Sequence, residues 1–450
     1  MSTSPTATAS PSAPHLRRTL TLWHLIIYGI IVVQPVAPMP SFGVITQEAR
    51  GHAVTCILIA MVAMLLTAFS YGRMARAYPS AGSAYTYVGR ELHPALGYVT
   101  GWSMTMDYIL NPLICTIWCS KAAGNILPDV PYAAWVVLFA ALFTGMNLLG
   151  VKTNARVNAG LAAGMGVVII IVLAAAFRFI LHSADHTMAA FTRPFYDPST
   201  FSPPAVLHGT SIAVLTYIGF DGISTLSEEA ENPRKNIMYA TVLVCLITGI
   251  LASVEVYAAQ LVWPSHAFPD VDTAYVHVAG RIGGLSLFHL VNLTLLVANI
   301  GSGMGAQLAA ARLLYGMGRD NAIPKSFFGV VEGKHGIPRN NVLFVGVLAL
   351  AGAFALSYER GAELLNFGAF IAFMGVNAAA FFHYYLRAEQ KKLINLFPPV
   401  LGFCIGLVIW MNLSWQAKIA GAMWLFLGII YGAYKTGGFR KATISFDVPE

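Results

Sequence analysis

The sequence predicts an all-α integral membrane protein with about twelve transmembrane helices, and three observations support this fold class. Hydrophobic residues make up 57% of the chain and charged residues only 10%, whereas soluble domains carry about 25% charged residues. Mean hydropathy is +0.65. Apolar runs of roughly 20 residues, each long enough to cross about 30 Å of hydrocarbon as a helix, recur along the whole chain.

The apolar runs predict one membrane domain, because the connections between them are short. The longest connections, 182–204 and 263–284, hold fewer than about 25 residues, so no separate aqueous domain is expected. The predicted spans cover residues 20–46, 53–75, 94–122, 131–150, 157–181, 205–230, 237–262, 285–317, 340–357, 361–386, 396–413 and 417–436.

The N-terminal residues 1–19 are rich in Ser, Thr, Ala and Pro and predict a disordered cytoplasmic tail, since such a composition cannot form a core. Arg17 and Arg18 precede the first apolar run, as in a signal peptide, but no small-residue cleavage site follows a short apolar core. We therefore expect the first helix to be retained.

The distribution of basic residues predicts the orientation. Of the 27 Lys and Arg residues, 20 fall on the side of the N-terminus and 7 on the other, and cytoplasmic loops are enriched in both residue types. This predicts a multi-pass protein of the cell membrane, in a bacterium the inner membrane, with both termini cytoplasmic. The net charge of +7 then reflects orientation in the lipid bilayer, and binding of nucleic acid is not expected.

The sixth span contains Tyr-Ile-Gly-Phe-Asp-Gly, residues Tyr217 to Gly222, which places two glycines and the Asp221 carboxylate inside an apolar segment. A membrane helix tolerates such residues at mid-depth only where the chain lines a cavity or packs against protein. This pattern predicts a broken helix and a binding site.

The first span contains a second interruption, from Gln34 to Gly43, with three prolines and a glycine. Proline cannot donate the helical hydrogen bond. Because spans one and six are five apart, two such breaks predict two five-helix repeats of opposite topology and transport by alternating access; ordinary kinks are the alternative. The predicted units are the tail 1–19, the first repeat 20–200, the second repeat 201–387, and helices eleven and twelve with a short cytoplasmic C-terminus, 388–450.

Three motifs resemble those of the amino acid–polyamine–organocation permeases. Residues 79–87 (Pro-Ser-Ala-Gly-Ser-Ala-Tyr-Thr-Tyr) resemble that family's loop from helix two into helix three. Residues 219–221 with 228–233 resemble its sixth helix and exit, and residues 311–320 its loop after helix eight. Gly-Phe-Asp-Gly-Ile-Ser at 219–224 and Asp107-Tyr108 are most similar to bacterial putrescine importers. The resemblance implies a leucine-transporter-type fold, with substrate held between broken helices one and six and uptake driven by an ion gradient.

The candidate site follows from the two breaks and from this resemblance. The half-helix beginning near Pro40 to Gly43 would point free N–H groups at a carboxylate, and unpaired carbonyls from Tyr217 to Gly219 would accept from an ammonium. The predicted substrate-binding residues are Ala37, Pro38, Ser41, Asp107, Tyr108, Tyr217, Gly219, Phe220 and Asp221. The predicted gate or coupling residues are Phe220, Glu228, Glu229 and Glu255.

Each acidic residue also has a structural interpretation. Asp107 could bond a neighbouring helix, Asp221 could cap the second half-helix, and Glu255 could pack against a polar partner or carry a coupling proton. Glu228 and Glu229 lie beside basic residues, so they could form ion pairs instead of a cytoplasmic gate.

Two departures from the family leave the substrate open between a diamine and an amino acid. Met165 stands where many amino acid permeases have a lysine in place of sodium, and Pro40 stands where the putrescine importers have an acid. The coupling ion is expected to be a proton or sodium. The sequence contains no catalytic constellation, so we expect a transporter and no enzyme, with no cofactor and no metal; a channel or a transporter-like sensor is less favoured.

Overall fold

The computed structural model describes residues 19–79, 83–149, 155–183, 187–227, 229–319, 323–331 and 337–438, and no β-strand occurs within them. Helices follow one another along the chain, with Gly284 (φ 64°) interrupting the eleventh. They are α1 (Leu22–Val33), α2 (Pro38–Glu48), α3 (Ala53–Ala77), α4 (Ser83–Glu91), α5 (Pro94–Gly124), α6 (Tyr132–Leu148), α7 (Ala155–Leu181), α8 (Met188–Thr192), α9 (Pro203–Ala213), α10 (Pro233–Val262), α11 (Ala274–Arg319), α12 (Lys325–Phe328), α13 (Arg339–Ala355), α14 (Tyr358–Phe381), α15 (Leu393–Met411) and α16 (Trp415–Thr436). Two 3₁₀-helices, Val214–Tyr217 and Phe220–Leu226, follow α9, and a π-helix, Phe382–Leu386, follows α14.

A helix or broken helix lies at each of the predicted spans. Within the described ranges, eight helices are long and apolar enough to cross a membrane, or nine if the bent pair α1 and α2 is one span. The other predicted spans correspond to α6 and α13, with 17 residues each, and to the 31-residue α5.

The burial of the helices separates a centre from a periphery. In α14, 72% of the apolar window is buried inside the protein, whereas in α15 and α16 the share is 22%. Large apolar side chains on the peripheral helices, among them Phe177, Leu401 and Phe426, are exposed. Lipid tails are as apolar as such side chains, so these helices form the lipid-facing surface.

Helix one is broken between Gln34 and Ala37, where α1 and α2 meet at an angle of 53°. Gln34 adopts a positive φ of 67°, and its Nε2 donates to the carbonyl of Ala298 at 3.1 Å. The second half-helix begins at Pro38, two residues before the predicted Pro40. Proline is favoured in the first turn of a helix, where its missing N–H would be unpaired in any case.

Helix six is broken where the sequence predicts it. The α-helix ends at Ala213, the first 3₁₀-helix ends at Tyr217, and Gly219 then takes a φ of +113°, which favours glycine. The chain continues as a second 3₁₀-helix, Phe220–Leu226.

The two broken helices run side by side in opposite directions. At one end of the bundle Leu20, before α1, pairs with Ala230, after helix six. At the other end a Cβ atom on Gly209 of α9 would lie 2.8 Å from Ala49, after α2. We call these the Leu20 end and the Ala49 end.

Gly43 allows α2 to pack closely against the chain before α11. A Cβ atom at Gly43 would lie 2.0 Å from the carbonyl oxygen of Val271 and 2.5 Å from the Ala274 Cβ. Beside it, the Phe42 ring contacts Phe268 and Tyr275 with centroid distances of 5.7 and 5.5 Å. These contacts pack α2 against the start of α11 and the chain before it.

A buried acid connects the elements at the Leu20 end. Glu91, which is 1% exposed, accepts hydrogen bonds from Tyr78 and Arg387, both at 2.7 Å, and lies 2.9 Å from His383 Nδ1. Burial and the bond to Glu91 raise the pKa of Tyr78 to about 12. The carboxylate therefore holds α4 against the π-helix that follows α14, since a buried charge needs partners.

We predict that Gly43→Ala destabilises the protein, because the added methyl group would meet the backbone oxygen of Val271. Overpacking of this kind costs about 1–3 kcal/mol, which thermal unfolding of the purified protein would detect. Gly145→Ala is the matched control, since nothing lies within 4 Å of a Cβ at Gly145. An unchanged melting temperature for Gly43→Ala would contradict this packing.

Candidate functional site

Asp221 lies in the break of helix six, at the start of the second 3₁₀-helix, and is 9% exposed. Its carboxylate faces backbone N–H groups of the break, at Gly219 and Gly222. This geometry resembles a helix N-cap, in which a side-chain oxygen accepts hydrogen bonds from backbone N–H groups and is thereby held in position.

Polar side chains from three neighbouring helices surround Asp221. The Asp221 carboxyl group lies near Tyr28 of α1, Tyr71 of α3, and Asp107 and Tyr108 of α5. Asp107 and Tyr108 are partly exposed although they lie at the middle of α5. The structure therefore brings the two predicted acids near one another.

The break also contains open space and free acceptors. No atom lies within 4 Å of a Cβ placed on Gly222. The Gly219 carbonyl accepts from the Gly222 N–H at 3.1 Å, but no described group donates to the carbonyls of Tyr217 or Ile218. Such carbonyls can accept hydrogen bonds from an ammonium group.

Two predicted side chains contact neighbouring helices. The Tyr217 hydroxyl donates to the carbonyl of Ile57 on α3 at 2.9 Å, so only its backbone is available in the break. The Phe220 ring is fully buried and packs against Tyr71 and Phe373 at 5.6 and 5.4 Å.

The first turn of α2 contains few donors for an anion. Pro38 and Pro40 have no N–H, and the N–H groups of Ala37 and Met39 already donate to the carbonyls of Gln34 and Val36. The Ser41 hydroxyl donates to the Pro38 carbonyl at 3.3 Å. At most the backbone N–H of Ser41 is left in this turn, so the expected carboxylate site is weak.

At the Leu20 end, main-chain hydrogen bonds join the two broken helices. The N–H groups of Thr19 and Leu20 donate to the Glu229 carbonyl, both at 3.0 Å, and the Glu231 N–H donates to the Leu20 carbonyl at 2.8 Å. Glu229 thus contributes its backbone to this contact. Glu228, also predicted as a gate residue, lies outside the described residues.

Glu255 of α10 is fully buried, and neither of its carboxyl oxygens has a hydrogen-bond partner among the described residues. The nearby Tyr275 hydroxyl donates to the Glu255 backbone carbonyl at 3.5 Å. The polar partner considered from the sequence is therefore not found in the described part of the chain.

Two cavities open at the ends of the bundle, away from Asp221. A cavity of about 840 Å³ at the Leu20 end is lined by Arg76, Arg234 and Lys235, among others. Another, of about 580 Å³ at the Ala49 end, contains Lys121, which pairs with Asp270 and Asp272 at 3.6 and 3.8 Å. Among the described residues that line these two cavities, Asp221 does not occur.

Comparison with known proteins decides the family. The model of the amino acid permease family matches residues 24–439. The chain belongs to the amino acid permease family. This permease is 33% identical, over 450 residues and 98% of each chain, to the low-affinity putrescine importer PlaP of Escherichia coli K12.

More distant relatives are named for the transport of other substrates. The permease is 28% identical over 466 residues to the branched-chain amino acid permease BcaP of Lactococcus lactis, covering 95% of this chain and 96% of the relative. It is 24% identical over 456 residues to a methylthioribose transporter of Bacillus subtilis, covering 93% and 92%. The family and these relatives, with the apolar helices, identify a multi-pass membrane transporter of the amino acid–polyamine–organocation superfamily and exclude an enzyme.

Tyr71 and Phe373 beside Phe220 have no distinguishing signal in the sequence. Aromatic residues in an apolar helix are usually core or interface residues, and only the fold brings these two rings to the break. For Asp107, by contrast, the presence of a charged residue within a membrane span is enough to indicate a functional candidate.

We predict that Glu231→Pro weakens closure at the Leu20 end, because proline removes the N–H that donates to Leu20. One lost hydrogen bond is worth about 1 kcal/mol, or about a fivefold larger open population. Maleimide labelling of Gly222→Cys in a Cys404→Ser background should accelerate accordingly, since the four other cysteines are buried.

Glu231→Ala is the matched control for this experiment. It removes the same side chain but keeps the N–H, so labelling should proceed as in the parent. Equal effects of the alanine and proline variants would assign the contact to the side chain.

Proposed function

We propose that this permease is a secondary active importer of a small amine, with a linear diamine such as putrescine favoured over an amino acid. The observation that carries this proposal is the pair Asp107 and Asp221, which lie near one another and near the carbonyls of Tyr217 and Ile218, to which no described group donates. Two carboxylates at one site suit a ligand with two ammonium groups.

The chemistry of helix one supports a diamine further. An amino acid needs donors for its carboxylate, and the prolines at the start of α2 leave few of them. Tyr28 and Tyr108, next to Asp221, can cover an ammonium through cation–π contact. The similarity to a putrescine importer points the same way.

An amino acid is the second candidate. Two of the relatives are branched-chain amino acid permeases, and the backbone N–H of Ser41 could still receive a carboxylate. In this case one ammonium would bind the carbonyls of Tyr217 and Ile218 near Asp221.

The proposed mechanism is alternating access between two inverted five-helix repeats, 20–200 and 201–387, in a protein of twelve spans with both termini cytoplasmic. The antiparallel broken helices support this arrangement. In this conformation the main-chain contact closes the Leu20 end and the packing at Gly43 restricts the Ala49 end. Phe220 would serve as a gate, because its ring lies beside the site.

We propose that the coupling ion is a proton carried by Glu255. An ionised carboxyl group without a partner is costly in a buried position, so the proton stays bound while the carboxyl group remains buried. Opening of the Ala49 end would let water reach the carboxyl group and exchange the proton. In a bacterium the driving gradient would be that of the inner membrane.

We predict that Asp221→Asn and Asp107→Asn each weaken putrescine uptake into proteoliposomes about 10- to 100-fold, because each removes a charge-assisted bond worth about 1.5–3 kcal/mol. Radiolabelled putrescine with a panel of competing amino acids would measure this. Asp129→Asn, at an exposed aspartate between α5 and α6, should transport as the wild type.

Competition by amino acids but not by putrescine would favour the second candidate. Unchanged uptake of the true substrate in Asp221→Asn would contradict the assignment of the site.

We predict that Glu255→Gln transports substrate down its own gradient but loses acceleration by an imposed proton gradient, since glutamine carries no exchangeable charge. Proton and sodium gradients would be imposed separately in the same vesicles. Glu389→Gln, which changes an exposed acid, is the control. Full proton acceleration in Glu255→Gln, or acceleration by sodium alone, would refute this role.

A further inference from the structure

A cluster of metal-binding side chains lies at the Ala49 end, apart from the substrate site. Glu48 ends α2, His208 lies in α9, and Glu359 lies in the first turn of α14. Their ligand atoms all lie within 4.8 Å of one another. Residues so far apart in sequence show no ligand spacing, which explains why the sequence predicts no metal site.

The orientation of the His208 ring is fixed from behind. Its Nδ1 lies 3.0 Å from the carbonyl oxygen of Asn412 and 3.5 Å from Glu363 Oε1. Because both of these groups accept hydrogen bonds, Nδ1 carries a hydrogen. The opposite nitrogen, Nε2, faces Oε2 of Glu48 at 3.5 Å.

In a neutral imidazole with hydrogen on Nδ1, Nε2 presents a lone pair. The Nε2 lone pair and the two carboxylates then face one another. All three are hydrogen-bond acceptors with no donor between them, so a cation between them is needed. We propose that Glu48, His208 and Glu359 bind a divalent transition metal, for which Zn²⁺ has the matching ligand chemistry of nitrogen and oxygen donors.

Glu363 provides the carboxylate that often accepts a hydrogen bond from the second ring nitrogen of a metal-binding histidine. Its side chain is fully buried and is itself held by the N–H of Ser414 at 2.8 Å and by the Ser414 hydroxyl. A carboxylate or carbonyl behind the second ring nitrogen orients the imidazole and strengthens its binding to a metal. Both kinds of acceptor stand behind His208.

The site is accessible and has room for a solvent ligand. The side chains of Glu48 and His208 are 28% and 22% exposed, so a metal can enter from the Ala49 end. Three protein ligands leave one tetrahedral position for water.

A bound metal would join α2, α9 and α14, which include one half of each broken helix. Under the proposed alternating access these halves separate when the Ala49 end opens, so the metal would hold that end closed and inhibit transport; this effect rests on the proposed function. This inference goes beyond the proposed function, since metal binding is measurable without any substrate.

The test is calorimetric titration of tag-free, purified protein with ZnCl₂. We expect one equivalent to bind the wild type reversibly, with release by EDTA. His208→Ala and Glu359→Gln should each weaken binding at least about 10-fold, and Glu363→Gln should weaken it about 10- to 100-fold. His266→Ala, which removes an exposed histidine before α11, should bind as the wild type.

Absence of saturable Zn²⁺ binding by the wild type would overturn the proposal and leave a proton on Nε2 as the cation. Equal affinity of His208→Ala and the wild type would overturn it too, by placing the metal elsewhere. Since one substitution could prevent folding, thermal unfolding accompanies each titration, and Glu359→Gln tests the site independently of His208.

Discussion

The structure depends on one constraint, which is that backbone groups within hydrocarbon must be hydrogen-bonded inside the protein. Continuous helices meet it along most of the chain. At Gln34–Ala37 and Ile218–Gly219 the helices are broken, and both breaks lie against other elements, as shown by the bond from Gln34 to Ala298 and the approach of Gly219 to Val32. We propose that the carbonyls of Tyr217 and Ile218, to which no described group donates, become binding groups, because a buried acceptor is costly when it has no donor.

Close packing around the breaks follows from the same constraint. Side chains too large at Gly43 or Gly209 would separate the segments that shield the broken backbone. Packing around the breaks therefore needs small residues beside polar ones, and the aromatic rings of Tyr71, Phe220 and Phe373 pack against one another beside the helix-six break.

The sequence predicted the helices and both breaks because hydropathy, proline and glycine act locally. The sequence prediction placed the start of α2 two residues too late. Pro40 lies in the first turn of this helix, and Gly43 allows its close packing, so neither residue marks its start. It did not predict the direction of the Tyr217 side chain or the cluster of Glu48, His208 and Glu359, because these depend on which helices meet. Asp107 and Asp221 were identified by charge, whereas their proximity needed the fold.

The contact at the Leu20 end is made between main chains, at Thr19, Leu20, Glu229 and Glu231. An alanine scan would leave every one of these hydrogen bonds in place and would score the segment as unimportant. The same property frees the side chains to vary in evolution without loss of the closure. Backbone-directed changes, such as proline or ester substitution, are therefore the suitable probes of this part of the permease.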